Sequence, residues 1–326
     1  MTRIALALAF SLLATSAFAA DPIVRRIHIG GEGGWDYVAV DSAARRLYVS
    51  HSDRVNVVDL DKGEVVGTIP NTLGVHGIAL NGALGRGYIS DGRSGLVTVF
   101  ALDSLKTLAE WKATGDNPDA ILYDPYSKHV ITFNGRGKNA TVFDAQDGNV
   151  VATIDLGGKP EFGVSDHKGR VYVNIEDTSE IAVIDMTKNA VEKRWKLTGC
   201  EAPSGLAIDR TRRRLFSVCE NETMVVSTAD GRIAGSAPIG KGSDGVAFDD
   251  AKQIAYSSNG RDATITAVHA TGNDFKTSTI PTARGARTIV LDAKTHHLFL
   301  PTAKLEPAEP RWKVVADTFE VLEVAP

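Results

Sequence analysis

Seven positions in this sequence, spaced 40 to 43 residues apart, each open a short apolar run: Asp36, His76, Asp119, Glu161, Ser204, Asp244 and Arg287. Four carboxylates, an imidazole and a guanidinium at one recurring place are an unusual set, because small residues would suffice for a turn. A second series lies about 15 residues further on in each copy: His51, Asp91, Asn134, Glu176, Glu220, Asn259 and Lys304. Two chemistries are open to such a set once the chain gathers it. Oxygen-rich ligation by Asp119, Glu161 and Asp244 suits a hard divalent ion such as Ca2+ or Mg2+, and His76 or His51 widens the choice to Mn2+, Fe2+ or Zn2+. In the other reading each acid accepts backbone N–H bonds in its own loop, and water fills the space between. Like charges gathered away from water raise some of their pKa values unless a cation or Arg287 compensates them.

The runs that position these residues are copies of one unit. Between each opening residue and a closing Asp or Asn the sequence reads YVAV, GIAL, AILY, FGVS, GLAI, GVAF and TIVL, ending at Asp41, Asn81, Asp124, Asp166, Asp209, Asp249 and Asp292. The closing side chain bonds the backbone two residues on, which starts a turn. In the first copy three more runs follow, RLYVSH at 46–51, VNVVDL at 55–60 and EVVGTIP at 64–70. The third run recurs as VTVFAL, ATVFDA, IAVIDM, MVVSTA, ITAVHA and finally FEVLEV. Strands this short, without helical periodicity, repeated seven times as four-stranded units, predict an all-β fold, a seven-bladed β-propeller. The innermost strand A then lines a central channel, so the first series forms a ring at its mouth and the second a wider ring on the same face.

The seventh copy stops at its third strand, while IVRRIHI at 23–29 precedes the first copy without a blade of its own. Residues 23–29 are therefore expected to supply the outermost strand of blade seven, which removes an open edge. Loss of either end is expected to unfold the ring.

The units also carry a pattern, Asp-x2-Thr-x2-Val, then Pro-x-Gly and Leu-Tyr-Val-Ser/Asn, clearest at 181–219 and 150–184. This resembles the YVTN-type repeat of YncE-like periplasmic propellers across all seven blades, with proline in the matching place at Pro118, Pro160 and Pro203. The resemblance implies a periplasmic seven-bladed propeller and carries no shared catalytic signature, since one fold hosts many functions.

Residues 1–20 read as a secretory signal: Arg3, an apolar stretch from Ile4 to Leu13, and the small-x-small pattern Ala17-Phe18-Ala19. An apolar stretch of about ten residues is half of what a membrane span needs. The expected product is one domain, 21–326, periplasmic or secreted, with no membrane span after cleavage. Loss of Arg3 leaves 35 basic against 40 acidic residues, so the net charge moves from −4 to −5. Such a balance gives no electrostatic reason to expect nucleic acid as a partner. A small molecule or a periplasmic protein is the expected partner, and a monomer the expected state.

Other features are secondary. Trp35 precedes Asp36, so it either stacks on a flat ligand or packs between blades seven and one. Arg212, Arg213 and Arg214 fall in a turn on the opposite face, and His296-His297 on the approach to a strand of blade seven. Cys200 and Cys219, the only two cysteines, are expected to meet: pairing about the turn at 210–213 sets residue 204 opposite 219, which suits a disulfide in an oxidising compartment. A free Cys219 beside Glu220 would instead offer a soft metal ligand. The stretch 304–317 (KLEPAEPRWKVVAD) interrupts blade seven as a protruding loop near the mouth. No HExxH, GxSxG, P-loop or CxxC is present. The sequence therefore predicts a binding or scaffold propeller. The alternative is a divalent-metal-dependent lactonase- or lyase-like enzyme using Glu161, Asp244, Asn134, Asn259 and His76.

Overall fold

The computed structural model describes residues 21–272, 274–308 and 312–326. Residues 1–20, expected to be a signal segment, lie outside the described residues. Seven four-stranded antiparallel sheets stand as blades around a ring. Blade one runs Val38–Asp41 (A), Arg46–His51 (B), Arg54–Asp59 (C) and Glu64–Pro70 (D). Blade seven is closed as expected, by Ile23–His28 lying outermost against Glu320–Val324, with Arg26 opposite Leu322 and Ile27 opposite Val321.

Strands B and C have a neighbouring blade on each face, so residues of both parities are buried: in Arg46–His51 only Arg46 reaches solvent. Strand D is the rim, and Glu64–Pro70 buries only Ile69. The core therefore lies in the seams between blades. One seam packs Tyr48, Val55, Val57 and Ile69 of blade one against Ile78, Ile89 and Phe100 of blade two. Each such side chain contributes about 1.5–3 kcal/mol on burial.

The A–B turns form as their composition requires. Asp41 Oδ1 accepts from the amides of Ala43 and Ala44 at 3.1 and 2.8 Å, and Asp249 Oδ1 from Ala251 and Lys252 at 3.0 Å each. The last turn residue is left-handed in every blade: Gly85 and Gly169 in two, and Arg45, Lys128, Arg213, Gln253 and His296 in the others.

Strand A departs from a plain ladder. Its register slips between Val75 and Ile78, Pro118 and Ile121, Pro160 and Gly163, Pro203 and Leu206, and Ser243 and Gly245. Such a bulge leaves a residue unpaired and re-aims its side chain. His76, Asp119, Glu161, Ser204 and Asp244 all sit in these bulges. In blades one and seven the ladder starts later than the repeat suggests, at Val38 and Val290, so Asp36 and Arg287 precede strand A instead of opening it. The same bulge places Pro203, not Ser204, opposite Cys219.

Cys200 and Cys219 are joined in a disulfide with Cα atoms 5.4 Å apart, which rules out Cys219 as a free metal ligand. The stretch from Lys304 forms a small ribbon, Leu305–Glu306 against Lys313–Val314. Trp312 is half-exposed on it, and the Arg284 guanidinium lies 4.9 Å from its ring centre. Residues 309–311 of the stretch lie outside the described residues.

Candidate functional site

The inner series does converge. His76 Nδ1 lies 2.6 Å from Asp36 Oδ2 and 3.6 Å from Asp119 Oδ1. Arg287 donates from Nε to Asp244 Oδ2 at 2.9 Å, and from Nη2 to the Trp35 carbonyl at 2.8 Å with Asp36 Oδ1 at 3.4 Å. Glu161 Oε1 pairs with Lys159 Nζ at 2.7 Å, and Lys159 also bonds Glu176. Ser204 turns aside and donates to the Ser243 carbonyl at 3.3 Å. Asp36, His76, Asp119, Asp244 and Arg287, from five blades, thus meet across blades at the mouth, while Glu161 pairs with Lys159 within blade four.

One residue deeper the channel is blocked. The ring of Tyr37, from blade one, crosses to Phe162 of blade four, with centroids 5.3 Å apart. It packs with Ala120 and Phe133 of blade three. In the other blades this position holds Gly77, Ala120, Gly205, Gly245 and Thr288. Two aromatic side chains therefore close a channel that five small ones leave open, and the mouth becomes a floored cup. Burial raises the Tyr37 phenol well above its usual pKa, reinforced by the charges of Asp119, Asp36, Asp244 and Glu161. That a single hydroxyl feels all four carboxylates shows how closely they surround it.

The electrostatics follow from this crowding. Burial first, then the charge of Asp36, raises Asp119 to about 6, with His76 opposing. Burial followed by the charge of Asp119 raises Glu161 to about 8, with Lys159 opposing. Asp244 is raised too, chiefly by burial and against the pull of Arg287. Burial alone would lower His76, yet its bond to Asp36 and the charges of Asp119 and Asp36 prevail and raise it to about 9. At neutral pH the cup therefore holds an imidazolium, a guanidinium and an ammonium among four acids, some of which keep a proton.

Asp36, His76 and Asp119 offer ligating atoms within 4.8 Å of one another. The expected metal set of Asp119, Glu161, Asp244 and His76 does not form one cluster: Lys159 and Arg287 draw Glu161 and Asp244 into their own ion pairs.

Of the outer series only Glu176 joins the site, through Lys159. His51, Asp91, Asn134 and Asn259 end strand B and are buried within their own blades. His51 Nδ1 meets Asn56 Oδ1 at 3.1 Å while its ring lies 4.3 Å from that of Phe319. Asp91 accepts from Thr98 at 2.6 Å. Asn134 donates to Thr141 at 2.9 Å and Asn259 to Thr266 at 2.9 Å. Each ties strand B to strand C. In blades four, five and seven this place is taken by Ile175, Cys219 and Thr302, so Glu176, Glu220 and Lys304 belong to a different column. Glu220 pairs with Arg261 at 3.0 Å on the exposed rim, and Lys304 is exposed. Trp35 is buried with its ring stacked on Phe319 at 5.4 Å, between blades one and seven, and does not present a face to a ligand.

Lys159, Tyr37 and Phe162 are the residues of the candidate site that spacing alone did not single out. A further signal lies in the glycines after strand B. A Cβ at Gly92 would stand 2.6 Å from the His76 ring, and one at Gly260 would stand 2.8 Å from Arg287 Cβ. These glycines make room for the inner ring.

No protein-family model matches the chain, and no curated protein matches it in sequence. Solved structures do match. Hydrazine synthase of Kuenenia stuttgartiensis aligns over 97% of this chain and 99% of its own, with a TM-score of 0.74 and 14% identity. The RRP9 WD40 repeats align over 94% and 98%, at 0.79 and 10%. U3-55K aligns over 93% and 98%, at 0.78 and 10%. The chain is a seven-bladed β-propeller. At these identities the likeness extends to the fold alone.

Proposed function

We propose that this is an exported binding propeller, of the kind its YVTN-like repeats suggest, whose channel mouth receives a cationic group. That group is an amine or guanidinium, carried by a small molecule or by a basic side chain of a periplasmic protein. The carrying observation is the cup itself: four acids with little exposure around Tyr37, three of them facing charged partners of other blades, closed below by Phe162. Asp119 below about pH 6 and Glu161 below about pH 8 keep protons that an entering cation replaces. Binding is then linked to proton release and strengthens as pH rises through that window.

A second reading rests on Asp36, His76 and Asp119, whose donor atoms are near enough to share one ion. Two carboxylates and an imidazole suit Mn2+ or Zn2+ better than Ca2+ or Mg2+, which prefer six or more oxygens. A bound ion would supply Lewis-acid chemistry for a hydrolase- or lyase-like reaction. This reading comes second because the ion must first displace the proton shared by His76 and Asp36.

Titration calorimetry with arginine amide, a lysine-containing peptide, and Ca2+, Mg2+, Mn2+ and Zn2+ separates the two. In buffers of different ionisation enthalpy, the organic cations are expected to bind with proton release, and Asp119→Asn with Glu161→Gln to weaken binding tenfold or more. Metal binding lost in His76→Gln, with no heat from the organic cations, would favour the second reading. Absence of heat and of any rise in Tm with every probe would overturn both.

A further inference from the structure

The opposite face of the ring carries an independent feature in the seam between blades four and five. A cavity of about 190 Å3 opens there, lined by Lys168, Arg170, Tyr172, Arg210, Arg213 and Asp166, with Ile208 and Ala229 as its apolar part. At two other seams of the ring the corresponding place is latched shut. The last residue of the A–B turn reaches back to the Asp that closes strand A of the preceding blade: Arg45 to Asp292 at 2.5 Å, and His296 to Asp249 at 2.8 Å. Arg213 holds that position in blade five, facing Asp166 of blade four. No ion pair of Arg213 forms among the described residues.

A second latch is missing at the same seam. At four seams a donor from one blade bonds the carbonyl that follows strand C of the next. Arg25 bonds Leu60, Arg46 bonds Leu102, Tyr88 bonds Ala145 at 2.8 Å, and Arg214 bonds Ala270 at 2.6 Å. Tyr172 is to Ala229 what Tyr88 is to Ala145. Its hydroxyl makes no such bond: it is buried, lines the cavity and has no partner. A buried hydroxyl left unmade costs about 1–3 kcal/mol, so an unpartnered one marks a place where a partner belongs.

The charges around it name that partner. Arg170 is neutralised by Glu192 at 3.0 Å, and Asp166 spends Oδ1 on the amides of Lys168 and Arg170 at 2.7 and 2.9 Å. Arg210 donates from Nε to the Ser165 carbonyl at 3.0 Å, and its two terminal nitrogens have no acceptor among the described residues. Lys168, Arg210 and Arg213 thus outnumber Asp166 around one hydroxyl donor. We infer that this seam is a binding site for a small phosphate-type oxyanion, held by Arg210, Arg213 and Lys168 and receiving a hydrogen bond from Tyr172. Guanidinium forks match tetrahedral oxyanions in both geometry and charge. The anion would complete both missing latches and join blade four to blade five. It has no part in the cup on the other face.

Calorimetry with inorganic phosphate at low ionic strength tests the site on the whole protein. Wild type is expected to bind one phosphate and to gain Tm with its concentration. Arg213→Asn keeps the left-handed backbone at that turn, because Asn tolerates it, and is expected to weaken binding about tenfold or more. Tyr172→Phe keeps the packing and is expected to weaken it several-fold. Glu161→Gln, at the far mouth, is expected to leave it unchanged. Glycerol 3-phosphate separates two sources of the group: equal affinity assigns the site to phosphomonoesters, and exclusion assigns it to free phosphate. No binding to wild type, or equal binding to wild type, Arg213→Asn and Tyr172→Phe, would overturn the proposal.

Discussion

The two polar columns on the upper face make an instructive pair. Both hold Asp and His, recur once per blade and lie close together in space. In the inner column the side chains bond partners from other blades: His76 to Asp36, Arg287 to Asp244 and Asp36. In the outer column Asp91, Asn134 and Asn259 bond threonines two strand-pairs along in their own blade. A polar residue satisfied by its own repeat is part of the repeat. One that needs another repeat marks the axis of the ring, where seven copies meet and can become a site.

The contrast can be broken by variants, taken here from the largest effect. Cys219 is the blade-five member of the outer column, and its bond to Cys200 closes a loop of 19 residues. Replacing both by serine is expected to cost about 3 kcal/mol, read as a fall in the denaturation midpoint, with ligand affinity at the cup unchanged. Oxidised and reduced wild-type samples should differ by two in free thiols. A loss of cup binding without loss of stability would put the outer column in the site after all.

Asn134→Ala comes next. It strips Thr141 of a buried partner and leaves a small void, at about 2 kcal/mol. Denaturant titration measures this, and calorimetry at the cup should show no change.

The smallest effect has the opposite sign. Burial raises Asp91 to about 7, far above its ordinary 3.8. An acid whose folded pKa is raised costs stability as pH climbs from the unfolded value through the folded one. Asp91→Asn keeps an acceptor for Thr98 and is expected to stabilise by about 1–2 kcal/mol at pH 8, and by almost nothing near pH 4. Asp119 and Glu161, also raised, act in the same direction. His76, raised to about 9, adds stability that is complete below 6.5 and is lost as pH rises through 9. Melting temperatures of the ligand-free protein should therefore fall from pH 4 towards pH 9.

How much of this was legible beforehand depends on the length scale of the cause. The blade count, the turn-opening Asp residues and the N-terminal closing strand follow from local patterns, and each stands where the repeat put it. Membership of the inner ring was legible for the same reason. The outer series is not one column, because Ile175 and Cys219 are apolar at a position that is polar elsewhere, and the next charged residues, Glu176 and Glu220, stand one place further on. For Trp35 the sequence left stacking on a ligand or packing between blades seven and one, and Phe319, nearly three hundred residues on, claims its ring. The floor of the cup was hidden for a similar reason. Tyr37 and Phe162 are two aromatic exceptions in a column of small residues, and only closure of the ring makes them neighbours. The unlatched seam is harder still to read, since it is defined by bonds that form at other seams and that Arg213 and Tyr172 do not make.

The pairing of Ile27 with Val321 has a consequence for the order of assembly. The first strand of the ring to be synthesised takes its place beside nearly the last, and every blade between them must exist before the two can meet. Early blades can form from neighbouring segments, but the circle has no closed form until its end arrives. Contacts across such a span make folding slow, because the entropy of bringing distant segments together is lost before the contacts form. Until then Ile23–His28 is a free strand without a partner, and Glu320–Val324 an exposed edge awaiting it. The interval between them is when the chain is most open to pairing with a second copy of itself.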